Sequence, residues 1–184
     1  MTERPSILVT NDDGIHAKGL RELVEVMKLF GNVDVISSEV SMSGKGCSIT
    51  VDQPLRAVSV DSIQGVPTYK CNGTPVDSVK LSFNSLLENK PDFVVSGINH
   101  GANSSISVIY SGTMGAAIEA CLHGVPAIGF SLDDFNPDAD FSKAKIIVAK
   151  VFQNVLDNGL APFTCLNVNI PKGKPKGIKI CRQT

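Results

Sequence analysis

The stretch ILVTNDDGIHAKGL sets two carboxylates, Asp12 and Asp13, side by side, directly after an apolar run and just before a helical pattern. Adjacent carboxylates repel each other and gain nothing from an apolar core, so their position calls for a counter-charge. Together with an amide oxygen and a hydroxyl they make a hard oxygen set, which suits Mg²⁺, Mn²⁺ or Ca²⁺ rather than zinc. The competing structural reading makes Asp12 a helix cap and Asp13-Gly14 a turn dipeptide. On the sequence alone both readings stay open.

A second chemical element is YSGTMGAAIEA, in which Ser111, Gly112 and Thr113 open a helix whose next residues are small. Free N–H groups, a positive dipole end and two hydroxyls make such a helix start an anion site, phosphate above all. An ordinary Ser or Thr N-cap is the bland alternative. Asn99, His100 and Asn103 follow another buried run, Phe93 to Ser96. In an open parallel sheet, ligands sit outside the carboxyl ends of the strands, so these loops and the Asp12-Asp13 loop are expected on one rim. A cation-type cluster and a phosphate-type helix start on the same rim support each other.

Other motifs carry less. The SGKG segment, Ser43 to Gly46, is too short for a P-loop, and Ile49 stands where a dinucleotide fingerprint needs its third glycine. It reads as a flexible loop able to bring Ser43 or Lys45 to the site. His16, His100 and His123 have no ligand spacing, and PKGKPKG near the end is short, free of aromatics and read as a solvated turn.

These residues need a scaffold, and strands and helices alternate to provide it. Apolar β-type runs at Ser6 to Thr10 and Val33 to Ser37 enclose a helical pattern at Leu20, Leu23, Val24 and Met27, which predicts a parallel βαβ unit. Shorter runs at Cys47 to Val51, Leu55 to Val60 and Val66 to Cys71 predict a flanking β meander. Helical spacing returns at Val76, Val79, Phe83, Leu86 and Leu87 after Pro75, and again through Met114 to Gly124 and Ala144 to Val155. Further strands are expected at Asp92 to Gly97, Pro126 to Leu132, Phe163 to Ile170 and Ile178 to Gln183. The fold class is α/β, a doubly wound and mostly parallel sheet, with residues 1–184 read as a single domain.

Seventeen Lys and Arg against eighteen Asp and Glu leave a formal net charge of -1, so no basic field exists to attract a nucleic acid duplex or an anionic membrane surface. No apolar run reaches the roughly 20 residues of a membrane span, and the N-terminus lacks a signal-peptide pattern, so a cytoplasmic location is expected. The five cysteines are odd in number, widely spaced and never C-x-x-C, which predicts reduced, mostly buried thiols.

Five segments in order, LVTNDDGIHAKGL, SGKGCSIT, GTPVDSVKL, SGINHGAN and YSGTMGAAIEA, resemble the motifs of the survival protein E (SurE) family of metal-dependent nucleotidases. The likeness runs from Ile7 to about Ser131, more loosely through LNVNIP. It implies a three-layer α/β/α, Rossmann-like fold. It also implies that Asp12, Asp13, Ser43 and Asn99 hold one divalent cation, Mg²⁺ or Mn²⁺, and that Asn103, Ser111, Gly112 and Thr113 cradle a phosphate. The implied activity is hydrolysis of nucleoside 5'-monophosphates by a homodimer or tetramer, with Asp12 or Asp13 as acceptor of the attacking water's proton. Three positions depart from the family pattern: Ser37 and Ser38 stand where Ala-Pro is usual, and Met42 where Arg or Gln precedes the metal-binding serine. The chain also ends at CRQT, where the resemblance leads one to expect an extended hairpin and a helical segment. Two alternatives remain: a nucleotide-binding protein without catalysis, and a haloacid-dehalogenase-like phosphatase. The latter is disfavoured because Asn11 occupies the place of its nucleophilic aspartate.

Overall fold

The computed structural model describes residues 4–183, and its seven strands form one sheet in the order β3-β4-β2-β1-β5-β6-β7. Strands β1 (Ser6–Thr10), β2 (Asn32–Ser38), β4 (Val66–Cys71), β5 (Phe93–His100), β6 (Ala127–Asp133) and β7 (Cys165–Pro171) are mutually parallel. Only β3 (Ala57–Ile63) runs antiparallel, beside β4 at one edge. The chain leaves central β1 towards β2 and β4 on one side, then returns to place β5, β6 and β7 on the other. A topological switch point therefore lies between β1 and β5, the place where open α/β sheets bind ligands.

Side-chain alternation along the strands builds the two cores. Ile7, Val9, Val35, Val95 and Phe130 face helices α1 (Lys18–Met27) and α5 (Ser142–Asn158), which bury Leu20, Leu23, Met27, Val148 and Phe152. Leu8, Ile36, Val94 and Ala127 face the opposite layer, where α2 (Pro75–Leu81) and α4 (Gly112–Leu122) supply Val79, Met114, Ala116, Ala117 and Ala120. Alanines along α4 let it lie close to the sheet. The four-residue α3 (Ser107–Tyr110) buries none of its residues, and a π-helical turn, Ser82–Leu86, extends α2.

Two expected strands are absent. The Cys47 to Val51 run forms none, because α2's capping box claims its backbone. Thr74 Oγ1 donates to the Ser48 carbonyl (2.7 Å), and the Thr50 N–H donates to the Asp77 carboxylate (3.0 Å to Oδ2). The flanking β unit is thus the β3–β4 hairpin, joined to the main sheet through β2 and β4. Ile178 to Gln183 is also irregular and exposed, and forms no strand. All five cysteines are free, but Cys47 and Cys181 are exposed, so burial holds only for Cys71 and Cys121, with Cys165 between. No helix among the described residues is long and apolar enough to cross a membrane.

Candidate functional site

The carboxyl ends of β1 and β5 and the start of α4 meet at the switch point. There a cleft of about 150 Å³ is lined by Asp12, Ser43, Asn99, Asn103 and Ser111, among others. The sequence had scattered these residues over a hundred positions.

Beyond β1, the chain is locked by a buried relay. Ser37 Oγ donates to Asn11 Oδ1 (2.5 Å), and Asn11 Nδ2 donates to the Gly14 carbonyl (3.0 Å). This clasps the Asp12-Asp13 turn from both ends. Ser37 is thus the partner that orients the Asn11 amide, which gives a structural reason for a hydroxyl at this departure from the family pattern. Ser38 has no such role, since its buried hydroxyl has no partner among the described residues. The loop carrying Ser43 is drawn in by a 2.7 Å bond from the Met42 N–H to the Asp12 carbonyl. Met42 therefore acts here through its backbone.

Asp12 is buried, 4% exposed, and its Oδ1 accepts a 2.6 Å hydrogen bond from Thr113 Oγ1 in the first turn of α4. Burial pushes its carboxyl up to about 6; hydrogen bonds from Thr113 oppose the rise and the neighbouring Asp13 charge adds to it. Asp13 is half-buried. Its Oδ1 accepts from Ser43 Oγ (3.3 Å) and its Oδ2 from the His100 N–H (3.2 Å). Asn99 turns its amide nitrogen to the Gly101 carbonyl (2.7 Å), which leaves its amide oxygen for another partner. Neither Asp12 nor Asp13 is in an ion pair among the described residues.

This donor set fits a divalent cation: a buried carboxylate held against its own burial, a second beside it, an amide oxygen and a hydroxyl. The set is all oxygen, and no three His, Cys, Asp or Glu side chains gather among the described residues.

The proposed phosphate side is more divided. Ser111 lines the cleft, but its Oγ also caps α4 by accepting from the Met114 N–H (3.0 Å). Thr113 is fully buried and spends its hydroxyl on Asp12. Gly112 matters for what it lacks, since a Cβ there would lie 2.7 Å from Asp12 Cβ. The helix start and the carboxylate are thus packed directly together.

Asn103 lines the cleft with one side-chain N–H tied to Ser131 Oγ (2.9 Å). Its backbone is clamped from β7: its N–H donates to Asn169 Oδ1 (2.7 Å), and its carbonyl accepts from Asn167 Nδ2 (2.6 Å). Sequence reasoning passed over these two asparagines as part of a strand. Their period-two spacing in LNVNIP, which puts both on one sheet face, was the available signal.

The fold and the site together define a doubly wound α/β protein with an oxygen-donor cluster packed against a helix start at its switch point. Residues 7–184 match the family described as "Survival protein SurE", and the chain belongs to it. A protein of Bacteroides fragilis named 5'-nucleotidase SurE is 50% identical over 182 residues, 98% of this chain and 71% of that one. One of the same name from Cytophaga hutchinsonii is 54% identical, again over 98% of this chain and 71% of its own length. The crystal structure of the SurE protein from Aquifex aeolicus superposes with a TM-score of 0.87 at 37% identity, covering 97% of this chain and 72% of that one.

Proposed function

We propose that this chain is a divalent-metal-dependent 5'-nucleotidase that hydrolyses nucleoside 5'-monophosphates to nucleoside and phosphate. The observation that carries the reading is the direct packing of Asp12 against the first turn of α4, which puts a cation-type cluster and an anion-type helix start in one cleft. Family membership and the names of the relatives support the reaction class.

Asp12, Asp13, Ser43 and Asn99 would hold Mg²⁺ or Mn²⁺. When bound, the cation supplies positive charge against the phosphoryl oxygens and acidifies a water. The second amide hydrogen of Asn103, the Ser111 hydroxyl and the positive end of α4 bind the phosphoryl oxygens and stabilise the charge that gathers on them. Asp12 or Asp13 accepts the proton of the attacking water at a carboxylate oxygen. Asn11 takes no part as a nucleophile, being committed to Ser37 and Gly14.

The protein acts in the cytoplasm, a setting that five free cysteines suit. It works as a homodimer or tetramer, which the exposed Ile49, Val51, Ile106 and Ile109 suit. Phosphate released from adenosine 5'-monophosphate, with and without Mn²⁺, tests the activity. Release should require the cation, stop with EDTA and return on adding Mn²⁺; release unaffected by EDTA would reject the metal-dependent reading.

A further inference from the structure

Beyond the polar floor of the cleft stand two aromatic rings that the chemistry above does not use. Phe135, in the loop after β6, is 77% exposed, and Tyr110, the last residue of α3, is 62% exposed; both line the same cleft as Asp12, Asn103 and Ser111. Neither ring is held by a core.

The Phe135 ring lies against the backbone of Gly101. A Cβ on Gly101 would come within 2.3 Å of its Cε1 and 2.6 Å of its Cζ, and Gly101 has a φ of +99°. A residue without a side chain is what gives the ring its seat.

The Phe135 loop is also tied down, from within and from beyond β7. Asn136 N–H donates to Asp134 Oδ1 (3.1 Å), Asp138 N–H to Asn136 Oδ1 (2.9 Å), and Lys172 pairs with Asp134 (3.1 Å). Tyr110 is placed by its neighbour, since it immediately precedes the capping Ser111. The backbone at Tyr110 packs beside Gly46, whose added Cβ would sit 3.6 Å from the Tyr110 Cα.

We infer that Phe135 and Tyr110 are the walls of a nucleobase subsite, and that they give the cleft its preference for nucleotides over other phosphate esters. The inference rests on the nucleotidase reading, and follows from what an ester bound by its phosphate meets next. With the phosphate on Asn103, Ser111 and the α4 start, the rest of the molecule leaves through a mouth flanked by two exposed rings. Planar bases stack on aromatic faces, and the stack recovers area that both rings leave open to water.

The lining also says what the remainder of the ligand is not. Asp12 is the one Asp, Glu, Lys or Arg among the described residues lining the cleft, and His100 the one imidazole, so no Lys or Arg is placed there for a second phosphate. Such a lining suits a neutral nucleoside beyond the phosphate. Stacking without base-edge donors discriminates weakly between bases, so purines are favoured through their larger face alone.

The test is the selectivity ratio: kcat/KM for adenosine 5'-monophosphate divided by kcat/KM for glycerol 2-phosphate, which carries no ring. Phe135→Ala should lower this ratio about tenfold, with the loss in KM for the nucleotide rather than in kcat. Phe135→Trp should keep the ratio near that of the unaltered protein and Phe135→Leu should not, which separates stacking from mere bulk. Tyr110→Ala should lower the ratio and Tyr110→Phe should keep it. A ratio unmoved by Phe135→Ala and Tyr110→Ala overturns the subsite while leaving the nucleotidase reading intact. If the unaltered protein with Mn²⁺ releases phosphate from neither compound, that reading fails and the subsite falls with it.

Discussion

Asp12→Asn should make the metal-free protein more stable relative to the unaltered one as pH rises, because the native carboxylate is a liability without a cation. Burial lifts the Asp12 carboxyl from 3.8 to about 6, against the pull of Thr113 and with help from Asp13. The folded form therefore binds this proton more tightly than the unfolded form does. Its stabilising share is fully present below pH 3.8, declines as pH rises, and is gone above about 6. A shift of about two units corresponds to ~3 kcal/mol in all.

Between pH 5 and 7.5 roughly half of this, ~1.5 kcal/mol, is lost, which for a chain of this size moves the midpoint of thermal unfolding by about 3–6 °C. Asparagine has no charge to titrate and can keep its oxygen on Thr113. The assay is urea or thermal unfolding of both proteins in EDTA across that range, taking the difference at each pH so that carboxylates remote from Asp12 cancel. The unaltered protein should lose ground to the variant steadily with rising pH. A difference that stays flat, or runs the other way, refutes the argument that Asp12 is held against the cost of its burial. Saturating Mn²⁺ should favour the unaltered protein at pH 7.5, by ~2.7 kcal/mol when the free cation stands at a hundred times its dissociation constant.

Two neighbouring sites give contrasting expectations. Ser37→Ala leaves Asn11 Oδ1 buried without its donor and should cost about 1–3 kcal/mol in urea unfolding, whereas Ser38→Ala removes a hydroxyl with no partner and should cost less than about 0.5 kcal/mol. Equal costs would contradict the relay from Ser37 through Asn11 to the Gly14 carbonyl. Gly112→Ala would ordinarily stabilise a helix by roughly 0.5–1 kcal/mol, but here its Cβ meets Asp12 Cβ at 2.7 Å. It should destabilise instead and weaken Mn²⁺ binding, read by titration calorimetry; a more stable variant with unchanged Mn²⁺ affinity would refute that packing.

The alternation of buried runs and helical patterns was legible because both faces of a parallel sheet are covered, which leaves near-continuous apolar strands such as ILVT and FVVS. Cys47 to Val51 misled because its β-type composition says nothing about Asp77 and Thr74, which take up its backbone from far along the chain. Asp12, Asp13, Ser43, Asn99 and Ser111 could be picked out as polar residues beyond apolar runs or at a helix start. Their convergence is a property of strand order and could not be read from spacing. Thr113 shows the limit of motif reasoning. Its hydroxyl suits a phosphate as well as a carboxylate, and only the packing of α4 on the β1 loop shows that it is turned to Asp12. Phe135 escaped notice for a related reason: one phenylalanine in a polar loop gains meaning only once Tyr110 is seen lining the same cleft.

On the proposed function, one cation and one phosphate are held together at the switch point between β1 and β5. A crystal grown with Mn²⁺ and inorganic phosphate, with anomalous data collected at the manganese edge, tests this most directly. One anomalous peak is expected among the side-chain oxygens of Asp12, Asp13, Ser43 and Asn99, with phosphate density between it and the start of α4 at Ser111 to Thr113. An empty cluster, or manganese seated instead by Asp134 and Asp140 in the neighbouring cleft, would contradict it.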